Sequence, residues 1–276
     1  MEITVGLFLF IVALAFLCEL LDSSLGMGYG TILSPVLIIM GFSPLVAVPA
    51  VLLSQAFGGF AASAFHHLFR NVSFHPTSRD FKIVLVISSF GVLATIFAAI
   101  IALNVPKLFL QVYIGVLVLV MGIIVLLNLK FTFSWGKMIG VGILSAFNKG
   151  ISGGGFGPVV TAGQIMAGQG HKGAIGATTL AEAPICIASF ITYLIGKTMK
   201  QFDGSIMRMP VNEFFAKMFS PGLFQWNLTL ALLIGAVLVA PFGAFATKKM
   251  DTRYMHIVLG ILITILGIWT LIKAFS

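Results

Sequence analysis

Residues 148–158 read NKGISGGGFGP, so five glycines and one lysine interrupt an otherwise apolar part of the chain. Earlier in the chain, residues 25–31 read LGMGYGT and carry glycines at the same alternate spacing. A shift of 127 residues superposes the two sets, pairing Gly26 with Gly153, Gly28 with Gly155 and Gly30 with Gly157. Similarity at a fixed shift indicates an internal repeat, and the extent of that repeat decides the fold.

The match extends well beyond the glycines. The same shift continues without a gap and pairs Gly41 with Gly168, Ala47 with Ala174, Ala50 with Ala177, Leu53 with Leu180 and Ala61 with Ala188. Further along, a shift of 145 pairs Gly115 with Gly260, Leu117 with Leu262 and Gly122 with Gly267. The second copy therefore holds 18 more residues, the difference between the two shifts, in a polar insertion around 197–222. We predict two tandem repeats, at residues 1–130 and 131–276.

The composition identifies a membrane protein. Of the 276 residues, 59% are hydrophobic and only 9% are charged, whereas about 25% of the residues of a soluble domain are charged. The formal net charge is +8, but the basic residues fall in the gaps between apolar runs. Such charges are typical of topology signals. The composition therefore excludes a soluble domain and disfavours nucleic acid as a partner.

The apolar runs predict an all-α polytopic fold with about eight full hydrophobic spans and additional short half-helices. The uncharged stretch from Ser23 to Phe65 is too long for one crossing, since 43 residues of helix measure about 65 Å. Its prolines and glycines predict a half-helix over 31–41 and a full crossing over 45–66. The other runs, of which the first is interpreted as a retained helix, cover 3–21, 83–105, 108–129, 138–148, 173–196, 226–247 and 254–272.

The glycine segments predict a binding site. Backbone outside a helix is tolerated at membrane depth only where protein buries it or water bathes it. Pro158 suits the first position of a helix, and Thr31 has the hydroxyl of an N-cap, so each glycine loop leads into a half-helix. Two helix N-termini aimed at mid-membrane attract anions, and Lys149 adds a formal charge. Close packing through small residues is the alternative for any single glycine.

These segments also resemble the TauE/SafE family of sulfite and organosulfonate exporters. The resemblance is carried by LGMGYGTILSPVLIIMG at 25–41, ISGGGFGPVVTAGQIMAG at 151–168 and HKGAIGATTLAEAP at 171–184. It covers nearly the whole chain and implies export of small sulfur oxyanions or organosulfonates across a bacterial inner membrane. The first copy departs from the richer glycine pattern, because Leu25, Met27 and Tyr29 alternate with its glycines.

Residues from both copies are candidates for substrate binding. They are Gly26, Gly28, Gly30, Thr31, Gln55, Asn148, Lys149, Ser152, Gly153, Gly154, Gly155, Gly157 and Thr178. The expected partners are a small anion, protons and the lipid bilayer, and a homodimer is left open. We expect no cofactor and no metal.

Charged residues inside apolar runs are candidates for ion coupling, because their burial is costly unless they are paired or hydrated. Glu182 is the repeat mate of Gln55, so one copy has a titratable carboxyl where the other has its neutral isostere. Asp22 and Lys149 are also repeat mates and could pair with each other. Glu182 and Asp22 are therefore the predicted coupling residues, with a structural salt bridge from Glu182 to Lys149 as the alternative. Glu19, one turn before Asp22, could equally face a lumen near the surface.

Other constellations point to ordinary structural roles. His66, His67 and His75 flank a helix end, where we expect interfacial snorkelling rather than metal binding. Ser152 has no histidine with a route to mid-depth, which disfavours an intramembrane hydrolase. Asn71 begins an NVS sequon in a basic loop and is interpreted as accidental. Cys18 and Cys186 lie in apolar runs and suit core packing.

The topology and the mechanism each have an alternative. The 66–82 loop is basic and therefore expected on the cytoplasmic side. Inverted repeats, which we prefer, would place the loop that contains Lys248, Lys249 and Arg253 on the same side, whereas parallel repeats would place Lys197 and Lys200 there.

The function expected is secondary transport of small anions, coupled to the proton gradient. A passive anion channel is the first alternative, and an intramembrane enzyme is a distant one.

Overall fold

The computed structural model describes residues 3–127, 135–166, 169–201, 210–218, 224–249 and 253–276. Within these residues, all regular secondary structure is α-helical, which confirms the predicted class. In chain order the helices are α1 (Val5–Leu25), α2 (Tyr29–Ile39), α3 (Pro44–Leu68), α4 (Arg79–Asn104), α5 (Lys107–Leu127), α6 (Trp135–Ser152), α7 (Gly157–Met166), α8 (His171–Gln201), α9 (Val211–Met218), α10 (Trp226–Lys249) and α11 (Arg253–Phe275).

Six of the described helices, α1, α3, α4, α5, α8 and α10, are long and apolar enough to cross a membrane. Their outward faces carry large apolar side chains, such as Leu93 and Phe97 on α4, which are exposed in the isolated chain. Contiguous apolar surface of this kind indicates contact with lipid. The helix α2 and the Leu259–Phe275 part of α11 are apolar but shorter. The figure of about eight full spans stays a prediction, with α6 and α11 as the other two.

The helix boundaries follow the proline and glycine pattern to within a few residues. α2 covers 29–39 where the sequence predicts 31–41, and α3 covers 44–68 where it predicts 45–66. α6 continues past the predicted end at residue 148 and ends at Ser152. The sequence also leaves α9 unpredicted. Three predicted features lie outside the described residues: position 168, the boundary between residues 130 and 131, and much of the 197–222 insertion.

Each glycine segment ends one helix and precedes another. Gly26 follows α1 in the left-handed conformation, with a φ of 75°, and its N–H donates to the Asp22 carbonyl at 2.7 Å. Gly153 has the same φ of 75° after α6, and its N–H donates to the Lys149 carbonyl at 2.8 Å. A side chain is strained in this conformation, so both turns require glycine.

The breaks are shorter than the sequence predicts. Residues 26–28 and 153–156 leave the helical ladder, whereas the glycine pattern predicts breaks over 25–30 and 152–157. The predicted flanking residues are already helical, because α2 begins at Tyr29 rather than after its last glycine.

The two breaks cross in direct backbone contact. A Cβ added to Gly30 would fall on the Gly153 carbonyl, and one added to Gly157 would fall on the Gly26 carbonyl. The 127-residue shift exchanges these two contacts. Gly30 and Gly157 are therefore small because backbones meet there, which is the packing role that the sequence leaves as an alternative.

The helices of the two halves interdigitate. α4, from the first half, packs against α6 and α8, and α10, from the second half, packs against α1 and α3. The shifts of 127 and 145 convert the first set of contacts into the second. The contacts of α3 with α8 and of α5 with α11 each join two helices whose sequences these shifts superpose.

One end of the bundle gathers the basic 69–78 connection and the end of α10. The amide of Asn71 donates to the Ala244 carbonyl at 2.7 Å, and the ammonium of Lys172 donates to the Lys248 carbonyl at 3.1 Å. At the other end, the ammonium of Lys200 donates to the Leu103 carbonyl. The α3–α4 connection and the C-terminus of α10 therefore lie on the same side.

The snorkelling prediction is wrong for His66. Its side chain is fully buried, and its Nε2 lies 2.9 Å from the Ser23 carbonyl. Its Nδ1 lies 3.1 Å from the Asn71 amide, which is itself buried. His67 is instead exposed on the last turn of α3, where its ring stacks on the ring of Phe74.

Candidate functional site

Four buried polar side chains form a continuous chain of bonds where the two breaks cross. Asp22 Oδ2 accepts from the Gln55 amide at 3.3 Å, and Gln55 Oε1 accepts from the Lys149 ammonium. Lys149 Nζ lies 2.8 Å from Glu182 Oε1. Each of the four residues is at most 4% exposed. We call these four residues the central network.

The four residues of the central network form two pairs of positions that the 127-residue shift relates. Asp22 and Lys149 lie in the last turn of α1 and α6, and Gln55 and Glu182 lie within α3 and α8. The sequence leaves open a direct pair between Asp22 and Lys149, but Gln55 stands between them. The structure instead contains the salt bridge from Lys149 to Glu182 that the sequence gives as the alternative for Glu182.

The start of α2 is capped by a carboxylate. Asp22 Oδ1 accepts the N–H of Tyr29 at 3.0 Å, so a carboxyl group of the protein already occupies this helix N-terminus. The N-cap prediction for Thr31 is wrong, because the cap residue is Gly28 and Thr31 lies inside the helix. The Thr31 hydroxyl accepts the N–H of Gly155 at 3.1 Å and joins the two breaks.

The start of α7 is built differently. The helix begins at Gly157, so Pro158 occupies its second position rather than its first. The Ser152 hydroxyl lies 2.8 Å from the Asn148 carbonyl and accepts the N–H of Gly154 at 3.0 Å. Ser152 thus stabilises the turn. The side chain of Asn148 points elsewhere and accepts the hydroxyl of Tyr113 at 2.6 Å.

Thr178 belongs to a second polar group beside the crossing. Its hydroxyl accepts from the Gln164 amide at 2.7 Å and lies 3.1 Å from the Thr161 hydroxyl, which donates to the Gly26 carbonyl at 3.0 Å. The carbonyl oxygen of Gln164 is buried and has no hydrogen-bond partner among the described residues.

Sequence reasoning missed three residues at this crossing. Gln164 and Thr161 are absent from the predicted site, although both are polar residues of the half-helix predicted after the second glycine segment. The repeat mate of Thr161 is Ser34, whose buried hydroxyl has no partner in the described part of the chain. A Cβ on Gly153 would lie 2.5 Å from this hydroxyl, so Ser34 directly faces the second break.

The whole candidate site is closed. Every predicted substrate-binding and coupling residue is buried, Gly26 and Lys149 included. Glu19 is also fully buried, so its predicted alternative of a surface-facing lumen is wrong for this conformation. Within the described residues, no cluster of histidine, cysteine and carboxylate side chains could hold a metal ion.

Comparisons with known proteins identify the family. The family model described as sulfite exporter TauE/SafE matches residues 11–270, which is almost the entire chain. The chain belongs to the TauE/SafE family. A similar protein of Bacillus subtilis (strain 168), named probable membrane transporter protein YtnM, is 24% identical over 269 residues. The match covers 93% of this chain and 80% of that relative. No solved structure matches the chain.

Membership in the TauE/SafE family and the six apolar spans together identify a multi-pass transporter of the cell membrane. The family resemblance carried by the glycine segments is therefore confirmed. The match includes both breaks and all four residues of the central network.

Proposed function

We propose that the protein is a secondary transporter that exports small anions, with sulfite, other sulfur oxyanions or organosulfonates as substrates. The observation that carries this proposal is the buried Lys149 at the crossing of the two breaks. A cation retained inside the membrane is costly and is typical of a substrate or ion pathway.

Lys149 supplies the attraction for an anion, and the crossing supplies hydrogen-bond donors. The hydroxyl of Ser34, which has no hydrogen-bond partner in the described part of the chain, faces Gly153 in the second break. The N–H groups of Gly153, Gly154 and Gly155 already donate to protein acceptors in this closed conformation, so the N–H groups at the start of α7 are the backbone donors that we propose for an oxyanion. The N-terminus of α2 contributes less, since the carboxylate of Asp22 already occupies it. The second break therefore carries most of the proposed anion site.

The pair between Lys149 and Glu182 provides the proposed coupling to protons. When Glu182 is ionised, the ammonium is held by a carboxylate of the protein, and an anion must compete with that carboxylate. Protonation of Glu182 removes its charge and leaves Lys149 available to the anion. Asp22, linked to Lys149 through Gln55, adds a second negative charge that the bound anion must face.

We further propose inverted tandem repeats. The contacts at Gly30 and Gly157 are exchanged by the repeat shift, and so are the packing partners of α4 and α10. Inverted copies place the 69–78 connection and the end of α10 on the same side. The bond from Lys172 to the Lys248 carbonyl, beside the contact of Asn71 with α10, supports that arrangement.

Transport by purified protein in proteoliposomes tests the proposal. Efflux is measured for sulfite, thiosulfate, sulfoacetate and a carboxylate, with and without an imposed pH gradient. We expect sulfur oxyanion or sulfonate flux that responds to the gradient. Flux without any response would assign a passive anion channel, and absence of flux for the whole panel would contradict the proposal.

A further inference from the structure

Glu19 is the one carboxylate of the buried centre that the central network leaves out. It lies on α1 one turn before Asp22, and its side chain is fully buried. Neither of its carboxyl oxygens has a hydrogen-bond partner among the described residues. Asp22 and Glu182, in contrast, both have partners.

The carboxyl group of Glu19 lies in a tight junction between α1, α3 and α10. A Cβ added to Gly58 on α3 would lie 3.2 Å from the Cδ of Glu19 and 2.9 Å from the Cβ of Ala236 on α10. The absence of a side chain at Gly58 therefore makes the space that the carboxyl group occupies. On the sides of α3 and α10, this space is bounded by the backbone of Gly58 and the methyl group of Ala236.

The other half of the protein shows what fills the corresponding space. The 127-residue shift carries Glu19 to Ala146 and Gly58 to Ile185. The 145-residue shift, applied toward the N-terminus, carries Ala236 to Gly91. A Cβ added to Gly91 would fall on the side chain of Ile185 and would lie 3.2 Å from the Cβ of Ala146. The counterpart of the Glu19 site is therefore an aliphatic contact. Glu19 places a carboxyl group where the fold otherwise packs an isoleucine.

The surrounding charges also oppose an ionised Glu19. The central network beside Glu19 contains the carboxyl groups of Asp22 and Glu182 and the ammonium of Lys149, so carboxyl groups outnumber the ammonium. The other titratable groups on the elements packed against it are Cys18 on α1, Tyr29 on α2, His66 and His67 on α3, His171, Lys172, Cys186, Tyr193, Lys197 and Lys200 on α8, and Lys248 and Lys249 on α10. The only described ion pair in this centre is between Lys149 and Glu182.

We infer that Glu19 is a proton-binding site of the transporter, separate from Glu182 and occupied by a proton in this closed conformation. An ionised carboxylate without partners in an apolar junction is strongly disfavoured, and a proton neutralises it without requiring other ligands. A metal cation would require several oxygen ligands, and among the described residues no cluster of carboxylate, histidine and cysteine side chains could hold one. The ligand of the Glu19 site is therefore a proton.

This inference rests on the proposed function and extends it. When the junction of α1 and α10 opens to water, Glu19 can release its proton. The negative charge then left on α1 adds to that of Asp22 and opposes an anion at Lys149. Proton binding at Glu19 and anion binding at the crossing therefore favour each other.

Infrared difference spectroscopy of the purified protein at pH 7 tests proton binding without requiring transport. A protonated carboxyl group has a C=O stretching band that a carboxylate and an amide lack. We expect this band in the spectrum of wild type minus Glu19→Gln, and no such band in wild type minus Glu182→Gln. The control Ile185→Leu alters the counterpart site and is expected to keep the band. If Glu19→Gln does not fold, Glu19→Leu is measured in its place. Leucine puts an aliphatic side chain in the junction, as Ile185 does at the counterpart site.

Transport separates a failure of this inference from a failure of the proposed function. We expect Glu19→Gln to keep anion exchange. The stimulation of its flux by a pH gradient should be at least tenfold smaller than that of the wild type. Absence of the infrared band in wild type minus either Glu19 variant would overturn the inference, as would full pH stimulation in Glu19→Gln. If wild type shows the band but transports none of the anions, the proton site stands and the proposed function fails.

Discussion

Lys149 Nζ lies 2.8 Å from Glu182 Oε1, and both side chains are almost completely buried. The pair links the end of α6, which precedes the second break, to the middle of α8. α8 packs against α3 and α4 as well as against α6 and α7. Breaking a buried ion pair by removing one partner is costly, because the other charge remains without compensation. The pair is therefore suited to hold one conformation until a proton or an anion replaces one of its members.

Glu182→Gln should remove the response to a pH gradient, and the protein should stay folded at a lower stability because Lys149 loses its ion-pair partner. The amide keeps the shape of the carboxyl group, and the repeat mate Gln55 already has an amide at this position. Glu213→Gln is the matched control, since Glu213 forms an exposed ion pair with Lys217 at 2.9 Å on α9. We expect that control to transport like wild type. Undiminished pH-driven accumulation by Glu182→Gln in proteoliposomes would remove Glu182 from the coupling mechanism.

Lys149→Met should weaken sulfite binding by about tenfold to hundredfold, because a charge-assisted hydrogen bond contributes about 1.5–3 kcal/mol. Lys149→Arg keeps the charge in a planar group and should retain part of the affinity. Calorimetric titration of the detergent-solubilised protein measures both variants.

The same lysine also stabilises the fold, and double variants separate the two roles. Lys149→Met leaves Glu182 buried without its partner and should lower the free energy of unfolding by about 3–5 kcal/mol. Adding Glu182→Gln should restore stability but not anion affinity. Lys149→Met with Asp22→Asn tests the weaker link through Gln55. Recovery of full affinity in either double variant would show that Lys149 only neutralises a carboxylate.

Gly157→Ala should destabilise the crossing, because the added methyl would fall on the Gly26 carbonyl. Overpacking of this kind costs about 1–3 kcal/mol, and backbone atoms can yield less than a side chain. Gly163→Ala, in the same helix, is the control because nothing lies within 4 Å of its added Cβ. Thermal unfolding in detergent compares the two. Equal melting temperatures would contradict the backbone contact between the breaks.

Single cysteines at Ser24 and Ile151 should become reactive when the site opens. Both positions are at most 2% exposed in this closed conformation and flank the two breaks. In a background without Cys18 and Cys186, we expect small water-soluble thiol reagents to label them from at least one side during turnover. A cysteine at Ile263, which is fully buried on α11 and lies outside the junction of α1 and α10, is the unreactive control. If both test positions resist labelling from either side, a hydrated central cavity is untenable.

Much of the architecture can be predicted from the sequence, because membrane helices are encoded by long apolar runs and their interruptions by glycine and proline. The half-helix α2 and the crossing α3 follow from the length of the uncharged stretch and its prolines. The paired turns at Gly26 and Gly153 follow from the 127-residue shift. Helix ends are less predictable. Asp22 caps α2 from a position seven residues away, and local sequence did not select it over Thr31 for that role.

The sequence predicts which residues belong to the candidate site better than it predicts which of them bond to each other. Repeat symmetry selects Asp22, Gln55, Lys149 and Glu182, but it leaves the choice of partner open, and only the packing of α6 on α8 places Lys149 beside Glu182. The burial of Glu19 depends on Gly58, which lies on another helix and has no counterpart glycine at position 185. Such contacts depend on the tertiary packing of distant segments, which the spacing of residues along one helix does not reveal.

Sulfite flux through proteoliposomes that contain equal amounts of wild type or Lys149→Met, with and without a pH gradient, most directly tests whether the buried lysine carries anion transport. We expect the wild type to move sulfite and to respond to the gradient. The variant, once its fold is verified by its elution as a single species, is expected to lose most of this flux. Sulfite flux in Lys149→Met equal to that of the wild type would contradict the proposed anion site at the crossing of the two glycine breaks.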